Sequence, residues 1–177
     1  TGIYSRSGWH GVGYRLGSAV TWVNKPLSAG RVSLQSADWS AEPKVELNYF
    51  DDRHDLARLM LSVRFVASLF EQRPLKEVVR FPFGARWSPR TRKASAVNRK
   101  NAVMMGIAGM MLDGPAALRN YLIREHINEG PDLPGILAND DLLEDFVRST
   151  VIGIKHLSCT CRMGSVADPR AVIAPDG

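Results

Sequence analysis

The chain has 177 residues, of which 45% are hydrophobic and 23% charged, with a formal net charge of +5. This is enough chain for one domain with a sizeable core, and the composition excludes collagen-like, low-complexity and disulfide-framework classes. No apolar run reaches the ~20 residues that span a bilayer. The two cysteines, Cys159 and Cys161, share one short segment. A mutual disulfide there would be strained, so a reducing, cytoplasmic setting is expected. The opening residues Thr1 to Arg6 lack a charged-then-apolar signal layout. The missing initiator methionine and the turn-like Pro175-Asp176-Gly177 suggest a piece of a larger protein.

Residues 1–15 read as an irregular lead-in. Leu16 to Val23 is rich in residues that favour strands, and Asn24-Lys25-Pro26 ends it. Arg31 to Gln35 and Lys44 to Asn48 alternate polar with apolar residues, the mark of strands buried on one face. Together they predict two or three antiparallel strands.

Asp51 and Asp52 are good helix caps. Leu56, Leu59, Met60, Val63, Val66, Ala67 and Phe70 then recur at helical spacing, and Arg73-Pro74 reads as the stop. The sheet is the expected partner of this stripe. Val78 to Phe83 reads as a short strand or an apolar loop. Between Arg80 and Lys100 lie seven Lys/Arg and no acidic residue. Such a block can bind phosphates or an acidic surface. No nucleic-acid-reading module accompanies it, so a solvated loop or a face packed on a neighbouring domain is the simpler reading.

Asn101 to Leu112 is apolar all round and rich in Met, a buried helix or a lid. Pro115 starts a helix running to about His126, and Glu129 to Gly135 reads as a loop. Asn139 or Asp140 caps a last helix with an acidic first turn and an apolar side from Leu142 to Val151. Gly153 loosens it into a strand, Ile152 to His156.

Chemistry concentrates in His156-Leu-Ser-Cys-Thr-Cys-Arg-Met-Gly164. His156, Cys159 and Cys161 offer soft metal ligands, but structural zinc needs four and no second pair exists. A Cys nucleophile with a nearby imidazole is a second reading. A third is His156 as a general base, level with an ordinary hydrogen-bonded histidine. No metal is expected.

The stretch resembles the H-x-x-G-T-x-R-M-G signature of the glucose–methanol–choline (GMC) flavoprotein oxidoreductases. Asn24-Lys25-Pro26-Leu27-Ser28-Ala29-Gly30-Arg31-Val32-Ser33-Leu34 resembles that family's K-P-x-S-x-G-x-V-x-L segment, continued by Ser36-Ala37-Asp38, Pro43 and Asn48-Tyr49. The resemblance implies an α+β fold, an antiparallel sheet with helices packed on one face. It implies one substrate-binding domain over residues 1–177, belonging to a protein whose Rossmann-like FAD domain lies elsewhere. It further implies a small-molecule alcohol as substrate, FAD as cofactor, His156 as catalytic base and Thr160 as a cofactor contact.

Three departures stand out. Cys159 occupies the usual Gly position. Lys155 stands where choline-oxidising members tend to have an aromatic residue, which disfavours a quaternary ammonium. No G-x-G-x-x-G fingerprint is present, and the family's second active-site His or Asn falls after Gly177. These residues alone are therefore expected to bind FAD poorly and to be inactive. Two alternatives from other classes are a non-catalytic assembly module and a metal-binding His/Cys loop.

Overall fold

In chain order, the computed structural model places α1 (His10–Gly13), β1 (Arg31–Ser33), β2 (Lys44–Glu46), α2 (Arg53–Phe70) and α3 (Arg73–Val78). It continues with α4 (Pro89–Ala94), α5 (Arg99–Asp113), α6 (Ala116–Leu122), a π-helical turn (Ile123–Ile127), α7 (Leu133–Ala138) and α8 (Asp140–Thr150). Residues 10–94, 96–153 and 162–176 are described. The fold is α+β, as expected, with β1 and β2 paired antiparallel in the register Arg31–Glu46, Val32–Val45, Ser33–Lys44.

The two long helices expected around 53–70 and 140–150 start where short polar side chains satisfy their first amides. Asp52 accepts from the His54 amide. Asn139 accepts from the amides of Asp141 and Leu142. The apolar stripe of α2 packs on α7 and α8 rather than on the sheet. Leu56, Ile136, Leu143 and Val147 form one buried cluster, joined by Phe50, Leu59, Met60, Val63 and Phe146. The physical reason is area. A two-stranded ribbon of three residues per strand offers little surface, and its cross-strand pair Val32 and Val45 is itself exposed. Each fully buried Leu in the helical cluster is worth about 1.5–3 kcal/mol.

A second cluster joins α1, α4, α5, α6 and the π-helical turn through Val12, Ala94, Met105, Leu112, Leu122, Ile123 and Ile127. The segment between α3 and α4 lies between the two clusters. Phe81, Phe83 and Trp87 pack on the second. Gly84 lies so close to Ile136 and Phe146 of the first that an added Cβ would sit 2.9 Å from each. Arg86 binds Asp145 at 3.0 Å and covers the Phe146 ring. The carbonyls ending the π-helical turn are taken up by Ser88 and Thr91, whose hydroxyls donate to the carbonyl oxygen of His126.

Several local expectations differ. Leu16 to Val23 forms no strand: Val20 and Trp22 are exposed, and no described strand lies beside them to pair with. Arg73-Pro74, read as a stop, also opens α3, because Pro in a first turn gives up an amide that has no helical partner. Pro134 does the same in α7, with Asp132 accepting from the Gly135 amide. The residues between Glu129 and Gly135 are thus partly helical. Among the described residues no helix is long and apolar enough to cross a membrane.

Candidate functional site

The segment from Lys25 to Gly30 is clamped by the start of α2. Asp55 is in the first turn of that helix and is 3% exposed. Its carboxylate accepts the Leu27 amide at 2.9 and 3.0 Å and the Ser28 amide at 2.7 Å. The Ser28 hydroxyl in turn accepts from the Asp52 amide. Arg58, one turn further along, donates to the Lys25 carbonyl at 2.8 Å. On the other side Asn48 donates to the Ala29 carbonyl. Gly30 is pressed on β2, where an added Cβ would lie 2.3 Å from the Glu46 carbonyl oxygen. Only glycine permits that approach.

Burial pushes the Asp55 carboxyl up, but the amide and hydroxyl of Ser28, the amide of Leu27 and the charge of Arg58 together pull it below the usual carboxylate range. Asp55→Asn replaces one accepting oxygen with a donor group facing these amides. It should cost about 2 kcal/mol at neutral pH, by denaturant unfolding of the full-length protein. The sign of the pH effect follows from the depressed folded value. The carboxylate's contribution is fully present above the unfolded-state value of ~3.9 and is lost as pH falls through the lower folded value. The gap between parent and variant should narrow in acid.

Beyond β2 the backbone turns sharply. Asn48 and Phe50 both adopt positive φ, 46° and 65°. Asn tolerates this, whereas a bulky residue costs about 1–3 kcal/mol there. Phe50 is held by its place in the α2–α8 cluster and by the Arg148 guanidinium over its ring at 5.6 Å. Between them Tyr49 reaches the chain just after α8. A Cβ on Gly153 would sit 2.6 Å from the Tyr49 hydroxyl oxygen. Thus the 25–49 segment touches the backbone that leads into the His156 stretch.

The far side of that stretch is also fixed. Arg162 binds Asp168 at 2.6 Å, and its carbonyl accepts from the amides of Val172 and Ile173. Met163 and Ile173 form a parallel bridge, with the Gly164 amide donating to the Ile173 carbonyl. The Asp168 carboxyl is held below the usual range first by the Arg170 amide, against partial burial, and then by the charges of Arg162 and Arg170.

His156 and Thr160 lie outside the described residues, as do Lys155, Cys159 and Cys161. The described residues supply the supports on either side of them: Tyr49 against Gly153, and the Arg162–Asp168 pair. Among the described residues there is no group of three His, Cys, Asp or Glu that could hold a metal. His54 is exposed and bonded to Asp52, and His126 meets Arg90 and the edge of Tyr121. A cleft of about 330 Å³ between α2 and α7 and one of about 580 Å³ beside the π-helical turn both lie away from these supports. The sequence marks Tyr49 only as a position in a motif and does not single out Asp55. An acidic residue in a helix's first turn was the available signal for Asp55; nothing marked the Tyr49–Gly153 approach.

The family model "GMC oxidoreductase", for the C-terminal domain, matches residues 26–177. A 5-(hydroxymethyl)furfural oxidase of Methylovorus sp. (strain MP688) is 30% identical over 92% of this chain and 24% of its own length. An oxygen-dependent choline dehydrogenase of Photobacterium profundum is 25% identical over 86% of the chain and 18% of its own. The dehydrogenase pkfF of Emericella nidulans is 22% identical over 96% and 21%. The chain therefore spans a quarter or less of the length of these relatives. No solved structure matches it.

Proposed function

Since this chain belongs to the GMC oxidoreductase family, we propose that it is the substrate-binding part of an FAD-dependent enzyme that oxidises an alcohol CH–OH group. The observation that carries this reading is the family match over 26–177, which takes in both the Pro26–Leu34 run and the His156–Gly164 signature in order. In this reading His156 takes the hydroxyl proton of the substrate, because an alkoxide expels hydride far more readily than an alcohol does. The flavin, when bound, accepts that hydride. Thr160, in the same signature, is a cofactor contact in this reading.

The described residues do not by themselves make a dinucleotide site. The sequence has no G-x-G-x-x-G, and neither cleft adjoins the supports of the signature. The flavin belongs in this reading to a Rossmann-like domain elsewhere in the same protein, to which His156 would be presented. Support for a shared surface comes from the exposed apolar residues around the β1–β2 pair, among them Leu34 and Trp39, the latter 96% exposed. Such a surface is more than scattered single residues on a free face.

Lys155 argues for a neutral alcohol over a quaternary ammonium, in line with the hydroxymethyl substrate that one relative's name records. The two cysteines in one short segment fit a reducing, cytoplasmic setting. The test is anaerobic mixing of the full-length protein with 5-(hydroxymethyl)furfural, benzyl alcohol and choline, following flavin absorbance and product. A neutral primary alcohol should bleach the flavin and yield one aldehyde per flavin reduced, with choline the slowest. A full-length protein that carries no flavin, or one that no alcohol reduces, would overturn the proposal.

A further inference from the structure

From Ala102 to Leu112 helix α5 is apolar all round, yet only one side of it is buried. Asn101, Met105, Gly109 and Leu112 face the core. At about 100° per residue, the opposite side carries Arg99, Lys100, Val103, Ile107 and Met110. The last three are 65%, 51% and 65% exposed. The Asn101 side chain donates to the carbonyls of Lys93 and Ala96 at 3.2 and 2.8 Å, which holds the end of α4 against the first turn of α5. Arg99 and Lys100, both exposed, form a cationic head on the side of α5 opposite the core. No acidic residue lies in that first turn, and cations there oppose the helix dipole. The arrangement is unfavourable for the helix itself, with a cationic head and an aliphatic stripe side by side on a face left exposed by the described residues.

We propose that this face is a peripheral docking surface for an anionic lipid bilayer. Arg99 and Lys100 meet the headgroups, and Val103, Ile107 and Met110 enter the boundary with the acyl chains. A basic end beside an exposed aliphatic face is what interfacial binding uses: charge attracts the helix and apolar burial retains it. The absence of aromatic or hydrogen-bonding side chains on the stripe disfavours a nucleic acid, which is held by stacking and groove contacts. Two copies meeting by this face would set cations against like cations or against the aliphatic stripe. The inference stands apart from the alcohol-oxidation reading.

The test is co-sedimentation of the full-length protein with vesicles of phosphatidylcholine alone and of phosphatidylcholine with phosphatidylserine. Binding should require the anionic lipid and weaken with salt. The double variant R99E/K100E should bind at least about 25-fold more weakly, at about fivefold per cation removed. It should melt no lower than the parent, since acids suit a helix N-terminus, so lost binding cannot be ascribed to unfolding. The variant V103S/I107S keeps every charge and should also lose binding to these vesicles. Parent protein indifferent to anionic vesicles would overturn the proposal, as would retained binding by V103S/I107S, the result expected of a general polyanion site. A change of subunit mass in either variant by light scattering would assign the face to a second copy. Lower melting of R99E/K100E, with no vesicle binding by the parent, would assign it to the rest of the polypeptide.

Discussion

His156→Ala in the full-length protein is expected to slow alcohol-dependent flavin reduction by about 10²- to 10⁴-fold, the range supplied by a positioned general base. The loss should appear in the rate of the reductive step rather than in alcohol binding, because the proton moves only as the C–H bond breaks. The parent rate should rise with pH as one group loses its proton, and that inflection should be absent from the variant. Added imidazole should restore part of the rate. Thermal stability gives the control: a variant that melts like the parent has lost chemistry, not its fold. A near-parental rate, or an unchanged pH profile, would remove His156 from the role. Cys159→Gly, which installs the residue the family signature carries, should leave the rate within a few-fold of the parent. A loss as large as that of His156→Ala would instead favour a thiol-based site.

The parts of this chain that could be read from sequence are those in which a local pattern and the final packing agree. Asp52 and Asn139 are good caps, and both cap helices in the structure. Arg31 to Gln35 and Lys44 to Asn48 alternate, and both contribute to the strand pair, shortened at their C-terminal ends. The failures come from tertiary context. Leu16 to Val23 has strand-forming residues, but propensity for a pleated surface acts only when a neighbour completes the ladder. Pro74 reads as a stop and Pro134 as part of a loop because Pro is excluded from a helix interior, yet it is accepted in a first turn for the same reason, its missing N–H. Which of the two applies depends on chain direction after the residue. The free side of α5 could not be seen at all, since a helix apolar all round gives no amphipathic signal. For the site, the signature stood out by side-chain chemistry. The contacts that flank it did not, because the Asp55 clamp joins residues 27 or 28 apart and the Tyr49–Gly153 approach joins residues far apart in the chain.

Two glycines three residues apart on α5 should respond to Ala in opposite directions. Gly106 has open space where a Cβ would point, with nothing within 4 Å. Gly106→Ala should therefore stabilise the protein by about 1 kcal/mol, the helix-propensity difference. At Gly109 the same Cβ would lie 2.3 Å from the Gly11 carbonyl oxygen and 2.6 Å from its carbonyl carbon. The approach is reciprocal, since a Cβ on Gly11 would lie 2.4 Å from the Met105 carbonyl oxygen. Both neighbours are backbone, so no side chain can swing aside, and α1 must leave α5. With it would go the burial of Val12, which is 1% exposed, and the ion pair of Arg15 with Asp113 at the other end of the contact. Gly109→Val should cost about 4 kcal/mol, combining the overpacking penalty with loss of a buried Val, and Gly109→Ala somewhat less. Denaturant midpoints and slopes of the four proteins would check this. If Gly109→Val unfolds at the parent's midpoint, the α1–α5 crossing is not part of the folded core. If its midpoint falls with a smaller slope, α1 is already detached in the native variant, and α5 still folds without it.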